Sequence, residues 1–188
     1  MCVFGGDERV PIEYDVARKW LKRYQIQREF IDSKEQRMES LKEKASSPGS
    51  PKLDGMPRGQ RWNGDGLASI IATYTDIERE LPEDIKTGRE IHKQIDSFIK
   101  RLKGQGSAEM RLVLQMKYLD LFGWTDIVEV LFLGKADFLE KEDSYTRRTF
   151  KIHQNGITRL SELMGEKELQ EIVDFYGEDF DFPDTESE

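Results

Sequence analysis

The chain has 188 residues, with 29 Lys and Arg against 37 Asp and Glu and a hydrophobic share of 37%. Its single cysteine, Cys2, excludes an internal disulfide framework and a thiolate metal site, and its longest aliphatic or aromatic run, Val130–Leu133, is too short to span a membrane. With 35% charged residues the composition fits a helical, surface-rich architecture rather than one large globular core.

The charge is unevenly spread. Residues 165–188 hold 10 anions and 1 cation, which accounts for the whole net charge of −8, and the first 164 residues sum to +1. The opening stretch MCVFGGDERVPIEYD has no apolar core of a signal peptide, so the expectation is a soluble protein of the cytoplasm, with Cys2 an ordinary terminal residue. From Ile12 to Lys44 there is neither glycine nor proline, and Tyr24, Ile31 and Met38 recur every seven residues with Trp20 and Leu41 interleaved. That pattern predicts a long helix with one narrow apolar seam. About residues 45–66, ASSPGSPKLDGMPRGQRWNGDG, the density of proline and glycine predicts a linker or disordered loop.

A second long helical run starts at Leu67. Leu67, Tyr74, Leu81, Ile95 and Leu102 share one heptad position, and Ile70, Ile77, Ile91 and Phe98 share the other, with Asp84 and Gly88 the weak members. Pro82 keeps the register but predicts a kink or two stacked helices. The two seams imply either a hairpin within the chain or a homo-oligomer. Residues 1–106 are therefore read as a helical N-terminal region.

In the segment from Ser107 to Gly165 the elements shorten. Ser107 caps a helix running through Leu121 with Met110, Leu114 and Tyr118 on one face. Thr125, preceded by the staple residue Trp124, caps a short helix with Ile127, Val130 and Leu131 inward. Thr146 caps the next helix, whose buried side is Phe150, His153, Ile157, Leu160 and Met164. Its outer face is basic. Ser144–Leu160, SYTRRTFKIHQNGITRL, holds Arg147, Arg148, Lys151 and Arg159 and no carboxylate. Such a helix presented by its N-terminal end suits the DNA major groove, where arginine bonds the guanine edge and carboxylates would repel phosphate. The final stretch, residues 166–188, reads as a short helix with the stripe Leu169, Ile172, Val173 and Tyr176, then an acidic tail with six carboxylates beyond Gly177.

LVLQMKYLDLFGWTDIVEVL and YTRRTFKIHQNGITRLSEL together resemble region 4 of bacterial sigma factors. More specifically they resemble phage late-gene regulators of the RinA/ArpU type. The similarity runs through Leu114, Tyr118, Leu119, Gly123, Trp124, Ile127 and Leu131, and resumes at Tyr145–Thr149 and His153. It implies an all-α fold, with long N-terminal helices followed by a helix-turn-helix DNA-binding domain over residues 107–165. The implied function is sequence-specific regulation, as an activator of packaging or lysis genes, in the cytoplasm of a bacterial host. The implied partners are double-stranded promoter DNA and host RNA polymerase. The DNA-binding residues are then Arg147, Arg148 and Lys151, with Thr146, Thr149, Gln154 and Arg159 secondary. One departure is the Phe132–Ser144 stretch between the motif helices, longer than the usual turn and carrying Asp137, Glu140, Glu142 and Asp143.

An enzyme is not expected. His92 and His153 are the only histidines; His153 falls on an inward face and His92 is read as solvent-facing. No phosphate-binding loop of the G-x-x-x-x-G-K-[ST] form is present, and no cofactor or metal is called for. The rival readings are a helical interaction protein and a DNA-packaging adaptor.

Overall fold

In the computed structural model, residues 12–46 and 65–176 are described, and they form six helices with no strand among them. These are α1 (Ile12–Ser46), α2 (Asp65–Ile99), α3 (Ser107–Tyr118), α4 (Trp124–Phe132), α5 (Glu142–Ser161) and α6 (Glu166–Tyr176). The expected loop lies almost wholly outside the described residues, as do the N-terminal stretch with Cys2 and the acidic tail from Gly177 on. The fold class is all-α, as the periodicities imply. Among the described residues, packing gives one compact unit within residues 26–90 and another that joins residues 12–25 with residues 91–176. A heptad seam runs unbroken through both borders, so the sequence carries no mark of them.

In the unit of residues 26–90, α1 and α2 run antiparallel. Ile31 is buried beside Gly88, where a β-carbon would come to 3.3 Å from Ile31 Cδ1. The second weak seam position, Asp84, accepts a hydrogen bond from Lys34 Nζ at 2.7 Å, and its backbone carbonyl accepts one from Gln27 Nε2 at 3.1 Å. Lys34 also reaches Glu80 at 3.0 Å, and its two hydrogen-bonded carboxylate partners raise its pKa. The polar residues of the seam thus face one another and fix the helix pairing in register, a role that apolar contacts alone perform poorly. α2 passes through Pro82 as one continuous helix, so the stacked pair is not formed. Pro82 is exposed, and on the outer side of a helix the missing N–H costs least. At the far end a groove of about 370 Å³ is lined by Leu41, Ala45, Ile70, Ile71 and Tyr74. Leu67, expected on the seam, is 54% exposed there.

The other unit has one main core. Val16, Ala17, Trp20 and Leu21 of α1 and Ile91, Ile95, Phe98 and Ile99 of α2 meet Met110, Leu114 and Tyr118 of α3. Ile157 and Leu160 of α5 and Ile172 of α6 complete it. His92 is half-buried, edge-on to Tyr24 at 4.9 Å, and so is not the solvent-facing residue expected. α6 is locked down through Glu171, which accepts from Trp20 Nε1 at 3.0 Å and pairs with the buried Arg23 at 3.1 Å. Burial lowers the Arg23 pKa, and the Glu171 charge opposes that shift. In the stripe expected on α6, Leu169 is exposed, and Phe175 packs on the core in its place.

Candidate nucleic-acid interface

α3, α4 and α5 pack against one another. Val113, Met116 and Ile127 form a buried cluster between α3 and α4, with Ile152 of α5 against it. Gly156 of α5 is buried, and a β-carbon there would lie 3.0 Å from Leu114 Cδ1. A side chain there would need Leu114 to shift by a few tenths of an ångström, so glycine suits the close approach of α5 to α3. The ends of the helices differ from the expected caps. α3 stops at Tyr118, not Leu121, because the chain reverses there: Leu121 adopts a positive φ of 59° and the Phe122 amide returns to the Met116 carbonyl at 2.9 Å. Gly106 precedes α3 in a left-handed conformation, which places Ser107 inside the helix. α4 begins at Trp124 rather than after Thr125, and the Gly123 amide is taken by the Asp126 carboxylate at 3.1 Å. On α4, Val130, expected inward, is exposed, and Val128 is buried.

The connection from α4 to α5 is Leu133–Lys141, a small lobe with a core of its own. Phe138 packs with Val128 and Phe132, and Tyr145 stacks on Phe132 at 4.6 Å. Asp137 closes the lobe, accepting from Tyr145 Oη at 2.7 Å and from Lys141 Nζ at 2.8 Å. These hydrogen bonds hold its carboxyl at a pKa of about 2. Because the lobe feeds straight into the helix, α5 starts at Glu142, four residues before the expected cap. Thr146 is therefore not an N-cap: its Oγ1 donates to the Glu142 carbonyl at 3.0 Å, inside the helix. The first turn carries Glu142 and Asp143, which suit the positive end of the helix dipole and take the place of an external anion. Arg147, Arg148 and Lys151 consequently lie on the body of the helix and not at its open amides.

α5 has two opposed faces. Thr149, His153, Gly156, Ile157 and Leu160 are buried. Arg147, Arg148, Lys151, Gln154, Asn155 and Thr158 are exposed, and no carboxylate occurs among residues 144–161. Arg147, Lys151 and Gln154 are spaced to form one stripe along the helix, and neither Arg147 nor Lys151 has an ion-pair partner among the described residues. Arg148 leans away, 3.7 Å from Glu109 and 5.3 Å over the Phe132 ring. Arg159 donates to the Gln105 carbonyl at 3.2 Å, which ties it to the loop before α3. Thr149 is fully buried with Oγ1 donating to the Tyr145 carbonyl at 3.0 Å, so it cannot touch a ligand in this fold. Phe150, expected to be buried, is 44% exposed with one side against Trp124 at 4.6 Å.

Behind this face His153 shares a hydrogen bond with Tyr118 Oη at 3.0 Å and meets the Trp124 ring at 4.9 Å. Burial, then the positive charges of Arg18 and Lys117, bring its pKa down to about 4. The imidazole is neutral at pH 7 and acts as a packed core residue, as its inward position predicts. Lys117 lies 5.0 Å over the other ring of this set, Trp124. Sequence reasoning missed Lys117 because it belongs to α3 and reaches α5 only through Trp124.

Compared with protein families, curated proteins and solved structures, this chain shows no significant similarity. Among the described residues no three His, Cys, Asp or Glu are grouped to hold a metal ion, and no helix is long and apolar enough to cross a membrane.

Proposed function

We propose that the protein is a sequence-specific DNA-binding regulator, in which α4 and α5 act as a helix-turn-helix and α5 is the recognition helix. The observation that carries this reading is the two-faced α5. Its buried face is fixed by Gly156, Ile157 and Leu160, and its open face offers Arg147, Lys151 and Gln154 with no acid from residue 144 to 161. A rigid helix with arginine, lysine and an amide along one stripe can bond base edges and phosphates together. The resemblance to phage late-gene regulators supplies the biological setting: an activator of packaging or lysis genes in a bacterial cytoplasm, working with host RNA polymerase. Arg147 and Lys151 are the main contacts in this reading, with Arg148 and Gln154 at the margin. Arg159 is held to the Gln105 carbonyl, Thr146 is bonded within the helix, and Thr149 is excluded because it is buried.

The test is selection of bound fragments from the source genome, followed by footprinting and salt titration of the recovered site. Recovery of one defined sequence near a promoter is the expected result. A protein that retains no fragment over random DNA refutes the reading. The second reading, a helical interaction protein, draws on three strongly exposed apolar side chains, Val130, Leu133 and Leu139; it predicts no salt-dependent DNA binding at all.

A further inference from the structure

Besides the cations of α5, another group gathers on α1 and α3. Val16, Ala17, Trp20 and Leu21 anchor α1 in the same core as Leu114 and Tyr118 of α3. Arg18 and Lys22 stand beside those anchors, one turn apart on one side of α1. Lys117 stands beside Tyr118, its ammonium 3.3 Å from the Phe122 carbonyl and over the Trp124 ring. Trp124 in turn touches His153 and Phe150, the latter at the edge of the open face of α5. Lys117 therefore borders the α5 stripe.

Neither Arg18 nor Lys22 forms an ion pair among the described residues. Burial, and then the like charges of Arg18 and Lys117, push the Lys22 pKa down. The same two charges, after burial, act on His153. Like charges one helical turn apart work against the folded state. Here Arg18 and Lys22 lie one turn apart on α1, with Lys117 on a second helix of the same core, and no ion pair among the described residues offsets the charge of Arg18 or Lys22. An external polyanion would turn the mutual repulsion into binding.

We propose that Arg18, Lys22 and Lys117 form a second anion-binding surface, which takes the phosphate backbone of duplex DNA alongside the segment contacted by α5. The inference rests on the DNA-binding reading and adds to it a contact made by the N-terminal helix. A backbone fits better than a small anion, because the three cations belong to two different helices and a chain of phosphates can meet each in turn. Contacts of this kind set position and affinity and carry no base information. Removing them should weaken binding to all sequences alike, and each phosphate no longer neutralised should lower the slope of log K against log salt by about 0.9.

The experiment uses the full chain and compares the wild type with R18Q, R18Q/K22Q and, as a control elsewhere on α1, R37Q/K42Q. Binding is followed by fluorescence anisotropy on the selected site and on a random duplex of equal length, across a salt series. R18Q should lower the slope by about 1 and the double variant by about 2, equally on both duplexes, with the specificity ratio unchanged. The thermal midpoint of the free double variant should not fall, since it relieves repulsion. An unchanged slope in both variants, beside a wild type that binds, overturns the proposal and leaves the α5 reading standing. An equal drop in R37Q/K42Q makes the effect one of net charge, and also overturns it. A wild type without salt-dependent binding removes the DNA reading itself.

Discussion

His153 gives a test whose size follows from its surroundings. Its ring is 7% exposed, bonded to Tyr118 and edge-on to Trp124, with the charges of Arg18 and Lys117 close by. In the folded chain its pKa is about 4, against 6.5 for an unperturbed histidine. Between these values the unfolded chain takes up a proton that the folded chain refuses. The stability contributed by the neutral ring is thus complete above pH 6.5 and is lost as pH falls towards 4. Each pKa unit corresponds to about 1.4 kcal/mol, so the full loss is about 3 kcal/mol, with roughly 1 kcal/mol gone at pH 5.5. The comparison is urea unfolding of the wild type and His153→Gln at pH 7.5, 6.5, 5.5 and 4.5. Glutamine keeps a polar group for Tyr118 and does not titrate. The carboxylates, including Asp137 with its pKa of about 2, contribute equally to both proteins and cancel in the difference. The wild type should lose about 2–3 kcal/mol relative to the variant between pH 7.5 and 4.5. If the two lose stability in parallel over that range, His153 is not held neutral and the tight α3–α4–α5 junction is wrong.

Gly156→Val places branched carbon against Leu114, already 3.0 Å from a simple β-carbon, and should cost about 1–3 kcal/mol by overpacking; denaturant melts that show no loss would mean α5 stands off from α3. Ile31→Asp puts a carboxylate at a position that is 3% exposed beside Gly88 and should remove about 4 kcal/mol or more. Circular dichroism and sedimentation should show loss of helix with no dependence on concentration, whereas a folded monomer would show that the seam joins two chains. Arg147→Ala should cost about 1–3 kcal/mol of DNA affinity and relax the preference at one base position, read by competition between the selected site and its single-base variants; an unchanged preference and affinity would remove α5 as the recognition helix.

The helices and most of their inward faces are legible in the chain alone. Seven-residue spacing places Trp20, Ile31, Ile77, Ile91, Ile95 and Phe98 correctly, because one side of a helix repeats with a period set by the backbone alone. The acid-free run around Arg147 and Lys151 is also legible, since local charge needs no partner to be read. Whatever depends on where a second element stands is settled by packing instead. Asp84 and Gly88 interrupt the seam as letters, yet they make the contacts with Lys34, Gln27 and Ile31 that set the pairing. α5 starts at Glu142 because Phe138, Asp137 and Tyr145 close a lobe that no local cap signal announces. Thr149 reads as available and is buried, and Phe150 reads as buried and is open, because one residue step is about 100° of helix and only a neighbour fixes the border. Arg18, Lys22 and Lys117 are ordinary surface cations in the chain, and only the core shared by α1 and α3 gives reason to consider them together. Periodicity reports that a face is covered; what covers it depends on long-range packing.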